Sequence, residues 1–559
     1  MYLKLALLAV LPTLVASSPT RRYRRQTGDN SSSELLTDIN VIQQYWGQLT
    51  PYADNNDSYF GVSDVGLPNG CQVEQAHLLQ RHGSRFPGST FDDGPNMVNF
   101  AQKVASIAQG NVSSASQFSG PLSFLNSYQY DIGSAYLTGI GASQLFQSGV
   151  TFWNRYGRIL YNATQGELAY NATFANGTRR PKLTLRTTSQ SRIQNTQINW
   201  ALGFFGPSYQ ATPSQTLGNW TSPFNVVIIP EGGTENNTLA SYDSCTNDNE
   251  DVPGYIGDLN LLSYLPVYLS DAQSRLSQYV PASFNLTIND TFALQTLCAY
   301  ETNYLGRSDF CTLFTEDEWA GFENALDIEY YYDYSFGQPT GRAQGIGYLQ
   351  ELLARLQNQT ITTSNSSVNS SLDNNSRSFP LHQKFYADFS HDDIIISVLT
   401  AASLDYLKDP PSLTQYPPDP NRKFILSHLT PFAARLVTEV IGCGSRDPST
   451  NPTSQTQYSA TQYGYNASNA TYKYVRMRLN NGILPLSTIR GSYCGDRTDG
   501  LCPLSSFIKS QNSAYDASNY DYVCFGNYTI QYPNNGTDYD GTLFSGNAQK
   551  RSFNGARRW

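Results

Sequence analysis

Charge is scarce in this chain. Only 14% of its 559 residues are Asp, Glu, Lys or Arg, and the 36 basic residues fall short of the 45 acidic ones, giving a net charge of −9 and a pI near 5.1. That balance excludes a general affinity for nucleic acid or anionic membranes, both of which need an extended basic surface. An anionic ligand must therefore be drawn by local positive charge. The apolar run from Leu5 to Val15 is too short to span a bilayer. No cysteine pair has the CxxC spacing of a zinc site, and no internal repeat is found.

What is present is a foldable, tyrosine-rich composition, 39% hydrophobic and 13% aromatic with 39 tyrosines. The length exceeds one compact core, so two structural domains are expected. Lys4, the run Leu5–Val15 and the small residues Ala16, Ser17 and Ser18 read as a secretory signal peptide. The stretch Thr20–Arg25 after it holds two dibasic pairs. It suits a processing protease or a solvated mature terminus equally, so residues 1–26 are set apart as signal peptide and basic propeptide.

Secretion is expected on two further grounds. The eight cysteines are even in number and scattered, which fits four disulfides in an oxidising compartment. Asn-x-Ser/Thr sequons are dense, among them Asn111, Asn162, Asn171, Asn176, Asn219, Asn285, Asn289, Asn365, Asn369, Asn466, Asn469, Asn527 and Asn535, so N-glycans are expected. The polar end Gly555–Trp559 carries no hydrophobic lipid-anchor tail, and a soluble extracellular product follows as an expectation.

The segment from Cys71 to Gln80 mixes alternation with an apolar run and reads as a buried strand ending at the turn Arg81-His82-Gly83. Helical spacing recurs at Phe146, Val150 and Trp153, and at Leu349, Leu352, Leu353 and Leu356. Pro181–Thr187 and Phe385–Ser390 are further strands, the second closing on His391-Asp392-Asp393 ahead of the apolar stretch Ile394–Leu404. Tyr474–Leu479, Asn480-Asn481-Gly482 and Ile483 make a hairpin. Strands interleaved with helices predict an α/β sheet. The tract Asn358–Ser378 reads as a glycosylated surface loop.

The informative segment is Arg81-His82-Gly83-Ser84-Arg85-Phe86-Pro87, where two guanidinium groups flank one imidazole. Phosphate monoesters resist attack because their negative oxygens repel nucleophiles; a site must neutralise those oxygens while aiming a nucleophile at phosphorus. Arginine's planar fork suits the first task, and neutral imidazole the second. Gly83 allows a tight turn and close approach to a ligand. Alone, the tripeptide fits a structural arginine beside a buried histidine better.

Three motifs in order change that reading. The chain resembles the histidine acid phosphatase family, in its secreted branch that includes fungal phytases. The family signature Arg-His-Gly-x-Arg-x-Pro stands at Arg81–Pro87, its downstream His-Asp pair at His391-Asp392, and its arginine ahead of a serine-rich turn and helix at Arg186. The resemblance covers roughly Cys71 to the C-terminal region, including Leu429–Arg435 and the hairpin Tyr474–Leu486. It implies the pairs Cys71–Cys443, Cys298–Cys311, Cys494–Cys502 and Cys245–Cys524. It also implies His82 as nucleophile, Asp392 as general acid, and Arg81, Arg85, Arg186 and His391 as phosphate-binding groups. A carboxyl that must be protonated predicts an acidic pH optimum.

Some assignments stay open. Asp393 adjoins Asp392 and is read as a helix cap; Arg192 suits a structural ion pair or a substrate role equally. His77, His382 and His428 read as core or surface residues, and no metal or cofactor is expected. The fold expected is α/β, a central mixed sheet flanked by helices (phosphoglycerate mutase-like) with an inserted, mostly helical cap domain. Residues 60–100, 180–245 and 375–559 would form the catalytic domain, and 100–180 with 245–375 the cap. The function expected is secreted phosphate monoester hydrolysis through a phosphohistidine, on broad esters or on inositol hexakisphosphate. The rival is a catalytically silent secreted glycoprotein that binds phosphorylated ligands.

Overall fold

A computed structural model describes residues 34–108, 117–209, 222–449 and 464–544. The expected signal peptide and basic propeptide, and the sequons Asn111 and Asn219, lie outside them.

The apolar segment after Gly70 forms β1 (Cys71–Arg81), and its near-complete burial puts it at the centre of a sheet. Its neighbours are β2 (Leu183–Thr188), β3 (Phe224–Ile229), β4 (Phe385–Ser390), β5 (Arg435–Cys443), β6 (Tyr472–Leu479), β7 (Gly482–Ile483) and β8 (Cys502–Pro503). The order is β3-β2-β4-β1-β5-β6-β7, with β8 on β6. The first four strands run parallel and the rest pair antiparallel, so the sheet is mixed, as expected. In the β6–β7 hairpin Asn480 and Asn481 take φ of 45° and 72°, the left-handed turn that asparagine tolerates.

Helices cover both faces: α1 (Pro95–Ala108), α2 (Gly139–Phe152), α3 (Ser191–Phe205), α4 (Ile256–Ser277), α5 (Ile288–Leu305), α6 (Glu316–Tyr334), α7 (Gly341–Leu356) and α8 (Asp392–Ala401). Capping boxes start α5 (Thr287 with Asp290) and α6 (Thr315 with Glu318), each satisfying backbone N–H groups that the first turn leaves free. Phe152 of α2 and Trp200 and Phe204 of α3 pack on Leu185, Phe385 and Phe389, filling one sheet face. The other face shares a core with the cap, where Leu79, Leu436 and Val475 join the cluster of Leu261, Phe292 and Phe322.

Two boundaries differ from expectation. Of residues 100–180, α1 lies with the cap, its Phe100 against Phe284 and Phe310, whereas α2 packs on the sheet, because its apolar stripe faces α3 and β4. The tract 358–378 is not wholly a surface loop. Ser366, Ser367 and Val368 are buried, and Asp373 ends a short turn of helix with no solvent exposure. The disulfides join Cys71–Cys443 across paired β1 and β5, Cys245–Cys524, Cys298–Cys311 and Cys494–Cys502. Every described sequon named above except the half-buried Asn369 exposes its asparagine. Among the described residues, no helix is long and apolar enough to cross a membrane.

Candidate active site

The parallel strands deliver residues from their carboxyl ends to one place, where α/β folds put ligands. β1 leads into His82, β4 into His391 and Asp392, β2 into a short turn and Arg192 at the start of α3, and β3 into Glu231. The turn is locked by backbone bonds, His82 N–H to Ser390 C=O at 3.2 Å and Ala433 N–H to His82 C=O at 2.7 Å.

His82 is 1% exposed, and its Nδ1 lies 2.8 Å from the Gly83 carbonyl. A carbonyl only accepts, so Nδ1 carries the proton and Nε2 keeps a free lone pair. Burial, then the charges of Arg81, Arg192, Arg85 and His391, push the ring well below its ordinary pKa. The surroundings therefore favour the neutral imidazole, with Nε2 unprotonated.

Gly83 is required for a reason other than the tight turn expected. A Cβ there would sit 2.4 Å from Leu145 Cδ2 and 2.5 Å from the Gly141 carbonyl, so glycine lets the signature loop press against α2. Ser84 is tied down as well, its N–H donating to Gln144 at 2.8 Å and its hydroxyl to Asn303 at 2.9 Å.

Arg81 is fully buried. Its Nη1 donates to the carbonyls of Gln48 and, at 2.6 Å, Thr430, while Nη2 lies 2.6 Å from Asp392 Oδ2 and the guanidinium stacks 4.6 Å over Phe432. Arg85 grips Asp93 at 2.8 and 3.0 Å. The buried Nε atoms of Arg81, Arg85 and Arg192 have no hydrogen-bond partner, which leaves donors beside His82 for an anion.

Arg186 does not join this cluster. It lies inside β2, two residues short of the strand's end, with its guanidinium 2.8 Å from Glu351, 3.7 Å from Asp373 and 4.0 Å from Asp388, all buried. Strand alternation puts it on the face opposite Leu183 and Leu185, toward α7. Arg192 takes the place by His82 that was expected of Arg186. The distinguishing signal was position: Arg192 follows the strand end and opens a helix, whereas Arg186 precedes it.

Asp392 accepts from the Tyr330 hydroxyl at 2.7 Å besides facing Arg81. Burial would raise its pKa, but Arg81, the Tyr330 hydrogen bond, Arg85 and His391 together hold it below the ordinary value. In the free site the guanidinium beside Asp392 therefore favours its carboxylate form. Asp393 is raised instead, by burial and the neighbouring Asp392. It sits in the first turn of α8, two residues past the N-cap position, which His391 occupies without a side-chain cap bond, so Asp393 is not the cap expected.

His391 Nε2 lies 3.1 Å from Glu231 Oε1 and 3.3 Å from the Tyr242 hydroxyl, and its ring meets His82 edge-on at 5.9 Å. Tyr242 also donates to Glu231 at 3.1 Å. Sequence reading missed Glu231 and Tyr242; the position of Glu231 two residues past β3 matches how the other parallel strands supply the site. Elsewhere, His77 is buried, stacked on Tyr386 and pushed down to about 3 by burial, and His428 is buried against Asn55 and Tyr59. His382 is exposed.

Comparison with known proteins bears on the family and the fold. The family model described as histidine phosphatase superfamily (branch 2) matches residues 72–480. Phytase A of Aspergillus oryzae is 29% identical over 425 residues, 75% of this chain and 83% of that protein. Phytase A of Aspergillus awamori is 31% identical over 409 residues, 71% and 79% of the two chains. The crystal structure of the phytase from D. castellii superposes with a TM-score of 0.62 at 22% identity, over 90% of this chain and 93% of that one, a likeness of fold.

Proposed function

The chain belongs to the histidine phosphatase superfamily (branch 2) and is a phosphomonoesterase; we propose that it works through a phosphohistidine on His82 and accepts inositol hexakisphosphate among its substrates. The observation that carries the mechanism is the neutral imidazole of His82 with Nε2 free, ringed by Arg81, Arg85, Arg192 and His391. The substrate's phosphoryl oxygens take the free guanidinium N–H groups and His391, and Nε2 attacks phosphorus as the P–O bond to the leaving group breaks.

Asp392 supplies the proton to the leaving oxygen. A phosphate dianion competes for Arg81, weakens the pull that keeps Asp392 ionised, and so loads the acid as it binds. In the second half, the Asp392 carboxylate takes a proton from water as the water oxygen attacks phosphorus and the P–N bond breaks. Inorganic phosphate leaves and His82 is again neutral.

The relatives named Phytase A support the inositol polyphosphate reading. The four disulfides and exposed sequons support secretion into an oxidising compartment. Initial rates on inositol hexakisphosphate and on a simple aryl phosphate test the substrate. Comparable kcat/KM values are expected; turnover of the inositol ester far below the aryl ester would refute that part and leave a broad phosphatase.

A further inference from the structure

Three carboxylates from separate elements converge on the cap side. One oxygen each from Asp92, in the loop before α1, Asp258, in the first turn of α4, and Glu329, in α6, lie within 4.8 Å of one another. Asp92 and Glu329 are 4% and 5% exposed, and Asp258 is half-buried. Glu329 Oε2 is shut off from solvent and has no hydrogen-bond partner. Among the described residues no lysine or arginine forms an ion pair with any of the three; Arg85, the nearby cation, is taken by Asp93.

A buried group of like charges with an unpartnered oxygen needs a neutralising species, either protons or a metal cation. The ligand chemistry narrows the cation. Carboxylates are hard ligands that suit Ca²⁺, Mg²⁺ or Mn²⁺. Ca²⁺ accepts about 6–8 oxygens in flexible geometry, whereas Mg²⁺ demands a near-ideal octahedron and dehydrates reluctantly, so three carboxylates held by three separate elements suit calcium better. Their oxygens, all within 4.8 Å of one another, can share one ion. The exposed side of Asp258 leaves room for water ligands and a route of entry.

We propose that Asp92, Asp258 and Glu329 form a calcium site that ties the loop before α1 to α4 and α6. The site adjoins the phosphate cluster through the chain. Asp93, next to Asp92, holds Arg85, and Tyr330, next to Glu329, holds Asp392. Calcium there fixes two supports of the catalytic groups while touching neither phosphate nor His82.

The test uses the full chain, stripped with chelator, at pH 7 and without substrate, so its outcome is independent of the phosphatase reading. Calcium chloride is titrated by calorimetry in two buffers of different ionisation enthalpy, alongside thermal melting. One saturable site is expected, with Kd about 10⁻⁴–10⁻³ M, typical of extracellular calcium modules. Proton release on binding and a raised Tm are expected too. D258N and E329Q should each weaken binding at least about tenfold, since loss of even an outer-shell partner of a metal ligand typically costs about 10–100-fold. Should E329Q fail to fold, D258N, at a half-exposed helix start, decides alone. Absence of saturable binding in the wild-type chain, or binding unchanged in D258N, overturns the assignment.

Discussion

Replacing the two arginines that bracket the β2–α3 turn should separate fold from function. Arg186 is 3% exposed at its side chain and faces Glu351, Asp373 and Asp388, which are 0–1% exposed. Arg186→Met would strand Glu351 and Asp373, since Asp388 keeps Arg355 at 2.5 Å. Breaking a buried pair by removing one partner costs about 3–5 kcal/mol. The lower half of that range applies, because Asp373, already raised by burial and Glu351, can take up a proton. Arg192→Met removes one guanidinium facing the phosphoryl site from a half-buried helix start. A hydrogen bond to a charged group is worth about 1.5–3 kcal/mol, so the inhibition constant for inorganic phosphate should rise roughly 10- to 100-fold with little change in stability. Urea unfolding midpoints and phosphate inhibition, measured on both variants, make the assay. An Arg186→Met protein of wild-type stability with weakened phosphate binding, or an Arg192→Met protein with unchanged inhibition, would refute the reasoning.

Asp392→Asn should keep phosphate affinity and lose about 10²–10⁴-fold in kcat on alkyl phosphates, with a smaller loss on nitrophenyl phosphate, whose leaving group needs no proton; equal losses on both would speak against the acid. Sulfate, which does not titrate above pH 3, should bind with net proton uptake near pH 5. Asp392, depressed in the free site, rises once the anion offsets Arg81, so sulfate affinity should fall as pH rises. Proton release in two-buffer calorimetry would contradict this. Gly83→Ala, with a Cβ 2.4 Å from Leu145, should cost about 1–3 kcal/mol of stability by overpacking and lower kcat by shifting His82; an unperturbed melt and rate would show that the loop has slack.

Much of this was legible in the sequence because the chemistry is carried by contiguous words. Arg81–Pro87 and His391-Asp392 each follow a strand whose apolar run is plain, and the strand ends fix where the side chains go. Arg186 and Arg192 were hard to tell apart because both are arginines near one turn, and only the strand's last residue, Thr188, decides which of them the sheet swallows. Glu231 had no motif around it, since its meaning comes from His391, 160 residues away. The carboxylate form of Asp392 is favoured by a 2.6 Å contact with Arg81 that no spacing rule encodes. α2 was assigned to the cap because its apolar stripe shows that it is buried without showing against what.

Trapping the covalent state tests the central claim most directly. The enzyme is denatured in base during turnover of an aryl phosphate and digested, and the peptides are weighed. The account predicts an acid-labile phosphoryl group on the peptide carrying His82, absent from His82→Ala, which should be inactive. Phosphate on any other residue, or steady turnover by His82→Ala, would contradict it.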